Sequence, residues 1–192
     1  MIKTDDFEQV AVTSAAQLRD WLAVHHAQEH SIWLVTDKKH LGQTYVSTAE
    51  ILDEILCFGW IDGIRRKLDA GRTMQLLSPR KTQFWAKTYK DRVARLTEQG
   101  RMHPAGLACV ALSQAHGLWT RMDDVDALLI PDDLAERLAD LALARAHFNA
   151  FAPSYRRNVL RWLAHAKTPA TRTKRLAQIA DHSARAEKLA QM

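Results

Sequence analysis

Ser47-Thr48-Ala49-Glu50-Ile51-Leu52-Asp53-Glu54-Ile55-Leu56-Cys57-Phe58-Gly59-Trp60-Ile61-Asp62-Gly63 decides the fold, because a helix start, a helix stop and a strand entry fall within one stretch. Ser47 and Glu50 have capping-box spacing, in which hydroxyl and carboxylate each satisfy a free amide at the helix start. Ile51, Leu52, Ile55 and Leu56 follow at helical spacing, and Gly59 is placed to cap the C-terminus. Beyond Trp60 to Gly63, two β-favouring runs, Ile64 to Leu68 and Thr73 to Leu77, are joined by Asp69-Ala70-Gly71. This predicts a hairpin whose glycine takes a left-handed turn conformation.

Working outward, Thr13 to Leu22 opens with a capping hydroxyl and sets Leu18, Trp21 and Leu22 on one stripe, a first helix that stops before Ser31. Ile32 to Thr36 reads as a strand that enters a loop at Asp37-Lys38-Lys39 and Gly42. The remainder is helical: Lys87 to Gln99 closed by Gly100, Pro104 to His116 closed by Gly117, Asp132 to Asp140, Leu143 to Phe151, Ser154 to Ala166, and Thr168 to about Leu189. Strands in the first half and helices in the second predict an α+β fold with a small antiparallel sheet or hairpin. The expected domains are an α+β domain over 1–117, a connector over 118–130 carrying Asp123-Asp124-Val125-Asp126, and a basic helical module over 131–192.

Composition sets bounds on function. A chain of 192 residues that is 47% hydrophobic can bury one sizeable core or two small ones. The acids in Met1 to Asp6 oppose a secretory leader, and the longest run without Asp, Glu, Lys or Arg, Met102 to Thr120, is too polar for a span of ~20 apolar residues. Cys57 and Cys109 are isolated among apolar neighbours and read as buried thiols, so a reducing cytoplasm is expected. The net charge of +5 resolves into −6 over residues 1–62, +8 over 63–101, −4 over 102–152 and +7 over 153–192. The two basic blocks share an anion-attracting face, or each covers an acidic block of its own chain, or both are simply solvated faces of amphipathic elements.

One family likeness is carried by specific strings. Leu56-Cys57-Phe58-Gly59-Trp60-Ile61-Asp62-Gly63, with Arg65-Arg66, Ser78-Pro79-Arg80, Trp85, Glu98 to Met102 and Pro104-Ala105-Gly106, resembles the YdeI/OmpD-associated family. Pro153-Ser154-Tyr155-Arg156-Arg157, Trp162, Ala166 to Pro169, Thr171-Arg172 and Arg175 are similar to the helical module for which that family is named. The resemblance implies a link to bacteriocin protection, stress response and tolerance of cationic antimicrobial peptides, and implies no catalytic residues. Ala86 and Ala170 stand where the family pattern has Ser and Glu, which weakens two helix starts.

Chemistry concentrates in Trp60, Asp62, Arg65, Arg66, Arg80 and Trp85. Arginine offers a planar fork of donors matched to carboxylate or phosphate, and Trp offers a flat face, so these residues read as a pocket for a small anion or nucleotide. The alternative is that Asp62 pairs with Arg65 or Arg66 to fix the turn while both Trp join the core. A second basic set, Arg156, Arg157, Arg161, Lys167, Arg172, Lys174 and Arg175, lies on two adjacent helices and reads either as a nucleic-acid or acidic-protein surface or as solvated faces. His26-Ala27-Gln28-Glu29-His30 matches an inverted zinc-protease string but falls at a helix end with no marked third ligand, so no metal and no cofactor are expected. Cys57 reads as packing rather than nucleophile. With no nucleophile elbow, phosphate loop or dinucleotide fingerprint, the favoured function is a stress-tolerance protein that binds a small anion or nucleotide; a nucleic-acid or acidic-protein interaction module using the basic C-terminal helices, or an enzyme of unrecognised class at the same pocket, are the alternatives.

Overall fold

A computed structural model describes residues 6–190 and divides into two compact units, Met1–Thr120 and Arg121–Met192. The acidic start read at Met1 to Asp5 lies outside the described residues.

The first unit packs helices on a sheet. Strand β1 (Gln9–Ala11) leads through helix α1 (Ala15–His25) to β2 (Ile32–Asp37), and a 3-10 helix (Lys39–Thr44) precedes α2 (Thr48–Cys57). The hairpin β3 (Trp60–Lys67) and β4 (Arg72–Pro79) follows, then α3 (Lys87–Glu98) and α4 (Pro104–Ala115). Local chemistry sets the ends. Ser14 Oγ accepts from Gln17 N at 3.2 Å to start α1, and the Ser47–Glu50 capping box is complete, at 2.8 Å and 3.2 Å. Gly59, at φ 77°, turns the chain out of α2 and into β3, a conformation that penalises any side chain.

The sheet order is β1-β2-β4-β3. It is mixed rather than purely antiparallel, because the three-residue β1 pairs parallel to β2 while β2/β4 and β4/β3 pair antiparallel. The hairpin turn also differs from expectation, since positive φ is absent from Gly71. Instead Asp69 Oδ1 accepts from Gly71 N at 2.9 Å and Arg72 N at 2.7 Å, an Asx-type closure. Lys38 Nζ donates to the carbonyls of Asp69 and Ala70 at 2.8 and 2.9 Å. Between sheet and helices lies an apolar core of Leu18, Leu22, Ile32, Leu34, Ile51, Ile55, Leu56 and Leu77, each at most 1% exposed. Burial at that density is the main stabilising term of the unit.

The second unit is helical: α5 (Asp123–Asp126), α6 (Asp132–Ala139), α7 (Ala144–Ala150), α8 (Pro153–Ala164) and α9 (Pro169–Ala184). Helix α9 packs on α6, α7 and α8, and Leu134, Leu138, Phe148, Val159 and Ile179 are buried. It ends five residues short of the predicted Leu189, for a physical reason. Ala186 takes a left-handed φ of 56°, Ala186 N donates to Ser183 O and Glu187 N to His182 O, which is a Schellman closure without glycine. The reversal brings Leu189 N to the Tyr155 hydroxyl at 2.8 Å. Of the residues read as a linker, Leu118 and Trp119 pack on the core of the first unit, and Asp123–Asp126 is a helical turn.

Candidate functional site

A β-bulge builds the site. On β3, Asp62 pairs with Leu77 and Arg65 with Gln75, so three steps on one strand oppose two on the other. Strand side chains alternate faces, and without the extra residue Asp62 and Arg65 would point to opposite sides. The bulge puts both over the face that carries Leu77 and Gln75. Gly63 sits inside it, where an added Cβ would come within 3.3 Å of Leu76.

A chain of polar contacts results. Arg65 Nη2 donates to Gln75 Oε1 at 2.5 Å, Gln75 Nε2 donates to Asp62 Oδ2 at 3.3 Å, and the Tyr89 hydroxyl donates to Asp62 Oδ1 at 2.6 Å. Burial, and then the Asp62 carboxylate, push the Tyr89 hydroxyl well above its ordinary pKa. Arg80, only 7% exposed, stacks its guanidinium 3.9 Å from the Trp85 ring and 5.4 Å from Tyr89. Its backbone N–H donates to Gly59 O at 3.0 Å, and its Nη1 donates to the carbonyls of Gln83 and Phe84 at 3.2 and 3.3 Å. Nε and Nη2 of Arg80, and Nε1 of Trp85, are buried with no hydrogen-bond partner. Burial lowers the Arg80 pKa, opposed by Cys109, Tyr89 and Asp62.

Four of the six residues read from the sequence, Asp62, Arg65, Arg80 and Trp85, thus join one run of contacts through Gln75 and Tyr89. The other two go elsewhere. Trp60 is 1% exposed, donates its indole N–H to His26 O at 3.0 Å and meets Trp21 edge-on. Arg66 lies on the opposite face of the sheet, 5.3 Å from the Trp33 ring. Sequence reasoning missed Gln75 and Tyr89; Tyr89 stands four residues after Trp85, a spacing that places it on the same side of a helix start.

A second cluster of the first unit also escaped the sequence reading. Asp53 accepts from Arg92 at 2.5 Å and from Arg95 at 2.7 and 2.8 Å, while Glu54, 4% exposed, accepts from Arg19 at 2.8 Å and from Arg101. Burial raises the Asp53 pKa, but the bonds from Arg95 and Arg92 outweigh it and hold the carboxyl below its ordinary range. These pairs tie α1, α2, α3 and the segment after α3 together. Cys57 is fully buried beside Arg19, and burial pushes its thiol up, which suits packing rather than nucleophilic attack. His26 packs its ring 4.7 Å from His103, and among the described residues no group of three or more His, Cys, Asp or Glu is placed to hold a metal ion.

Three of the seven basic residues read in the second unit meet that unit's own acids. Arg157 and Arg161 lie 3.7 and 3.9 Å from Asp126, and Arg172 makes a two-pronged pair with Asp133 at 2.5 and 2.9 Å. Arg175 covers the Trp162 ring at 4.6 Å and donates to its carbonyl, and Arg156 lies over Phe148 at 5.7 Å. Lys167 and Lys174 are exposed. No helix of the described residues is long and apolar enough to cross a membrane.

Comparison with known proteins places two families on the chain. Residues 10–109 match a domain of unknown function (DUF8412), and residues 127–186 match the family described as Bacteriocin-protection, YdeI or OmpD-Associated. The Leu56 to Gly63 string falls in the first match and the Pro153 to Arg175 strings in the second. No curated protein and no solved structure matches the chain.

Proposed function

We propose, for a chain that belongs to the DUF8412 family and carries a YdeI/OmpD-associated, bacteriocin-protection module C-terminal to that domain, that its first unit binds a small anionic ligand at Asp62, Arg65, Arg80 and Trp85. In this reading it is a cytoplasmic stress-tolerance protein, and ligand binding is the activity on which protection depends. One observation carries the proposal: the Arg80 guanidinium is buried with two N–H groups lacking an acceptor. A buried cation left unpaired costs several kcal/mol, on the order of what an ion loses on leaving water, so an acceptor that meets it is strongly stabilising.

The test is thermal unfolding of the full chain against carboxylates, inorganic phosphate, sugar phosphates and nucleotides, at low and high salt. A ligand at a hundredfold its dissociation constant stabilises by about 2.7 kcal/mol. The expected result is a shift that persists in salt and disappears in Arg80→Ala. Because Arg80 also braces the turn before α3, Arg65→Ala serves as a second variant on the exposed end of the same polar chain. Stabilisation left intact in both would remove the site from the proposal.

A further inference from the structure

We infer that the ligand is a compact oxyanion, a carboxylate or a phosphate group no larger than its own few atoms, gripped side-on by Nε and Nη2 of Arg80 with the Trp85 indole N–H as third donor. This rests on the anion-binding reading above and narrows it.

The geometry of the guanidinium is the first support. Its Nε–H and Nη2–H point in parallel along one edge and match the two oxygens of a carboxylate or phosphate. This protein uses that edge elsewhere: Arg172 donates from Nε to Asp133 Oδ2 and from Nη2 to Oδ1. In Arg80 the loop carbonyls engage Nη1, and the same two-pronged edge has no acceptor. The stacked Trp85 supplies the third orphan donor, so all the buried unpartnered side-chain donors of the first unit's described residues belong to one stacked pair. Buried orphan donors are rare in folded proteins, and three carried by one stacked pair are better explained by a common acceptor than by three separate defects.

The nearby carboxylate does not fill that role. Asp62 accepts from Tyr89 and Gln75 rather than from Arg80. With Arg65 and Arg80 positive and Asp62 negative, the cluster keeps one positive charge, which suits a monoanion. The N-cap of α3, Ala86, directly follows Trp85 and offers no side-chain acceptor, so the positive end of a 12-residue helix begins beside these donors.

Size follows from the indole. Trp85 is 0% exposed, with Arg80 on its ring and Trp119 at 4.9 Å, so it presents no face on which a base or sugar could stack. Lys81, Thr82 and Gln83, which follow Arg80 in the chain, are exposed, and Arg80 Nη1 donates to the Gln83 carbonyl. An ion of a few atoms calls for less displacement of these packed side chains than a nucleotide, which would need the Trp85 core to open.

The experiment is calorimetric titration of the full chain with inorganic phosphate, acetate and AMP at constant ionic strength in chloride. Expected is saturable binding of phosphate or acetate at one site, no binding of AMP, and weakening of about tenfold or more in Trp85→Phe, which keeps the ring and removes the donor. Arg80→Lys, which keeps the charge and loses the parallel edge, weakens it further. AMP binding that is tighter than phosphate and lost in Arg80→Lys overturns the compact-oxyanion inference and leaves the anion site standing. No binding of any of the three overturns both. Equal affinity in Trp85→Phe removes the indole from the site.

Discussion

Single residues decide how closely the elements of the first unit can pack, and glycine shows it most sharply. At Gly106 an added Cβ would lie 2.2 Å from the Cys57 carbonyl oxygen and 2.7 Å from its carbon. Both atoms are backbone, so nothing swings aside. Gly106→Ala is therefore expected to destabilise by roughly 1–3 kcal/mol or more through overpacking. The check is a urea midpoint that falls with an unchanged m value. Such a contact was illegible in the sequence, where Gly106 was only part of a family string, because the crossing of α2 and α4 is non-local. Arg80 and Trp85 stood out in the sequence because their residue types suit anion and ring chemistry, and the structure stacks them on one another. The sequence left open whether Trp85 lines a pocket or joins the core, and its complete burial is what turns the proposed ligand from a nucleotide toward a small ion.

At the scale of elements, helix ends were read well and bulges were not. The Ser47–Glu50 box and Gly59 depend on spacing within one turn, whereas the bulge between Asp62 and Arg65 depends on how β3 registers against β4. Strand β1 was missed because three residues carry no periodicity, and α9 was overextended because alanine gives no sign of a left-handed stop. Ala86 has N-cap backbone angles of φ −78° and ψ 154° but no side-chain acceptor. Ala86→Ser is expected to stabilise the protein by about 1 kcal/mol, measured by chemical denaturation. The start of α4 gives a pH dependence. His103 Nδ1 accepts from Ala105 N at 3.2 Å, a role only the neutral ring can play. Burial, then His26 and Arg19, hold its pKa below the ordinary 6.5. The unfolded chain thus binds the extra proton first, and stability is full above 6.5 and declines as pH falls below it. His103→Asn, which caps without titrating, is expected to flatten the unfolding curve between pH 7 and 5; an unchanged slope would place the titration elsewhere.

Across the whole molecule, the alternation of charge along the chain posed a choice between a shared basic face and internal pairing. Within each unit, part of the basic block pairs internally. In the first, Arg92, Arg95 and Arg101 of the basic block cover Asp53 and Glu54 of the acidic one; in the second, Arg157 and Arg161 cover Asp126, and Arg172 covers Asp133. Partners 39 residues apart, such as Asp133 and Arg172, are beyond what charge counting can assign. The consequence bears on the rival function as a nucleic-acid module. If all seven basic residues of that set met phosphates, the logarithm of affinity would fall against the logarithm of salt with a slope of about −6. With Lys167 and Lys174 as the exposed members outside these pairs, the expected slope is about −2 and the affinity weak. Fluorescence anisotropy with a duplex between 50 and 200 mM salt measures it. A slope near −6 means that the Asp126 and Asp133 pairs open on contact with phosphate, and the C-terminal helices, rather than Arg80, then become the functional surface to pursue.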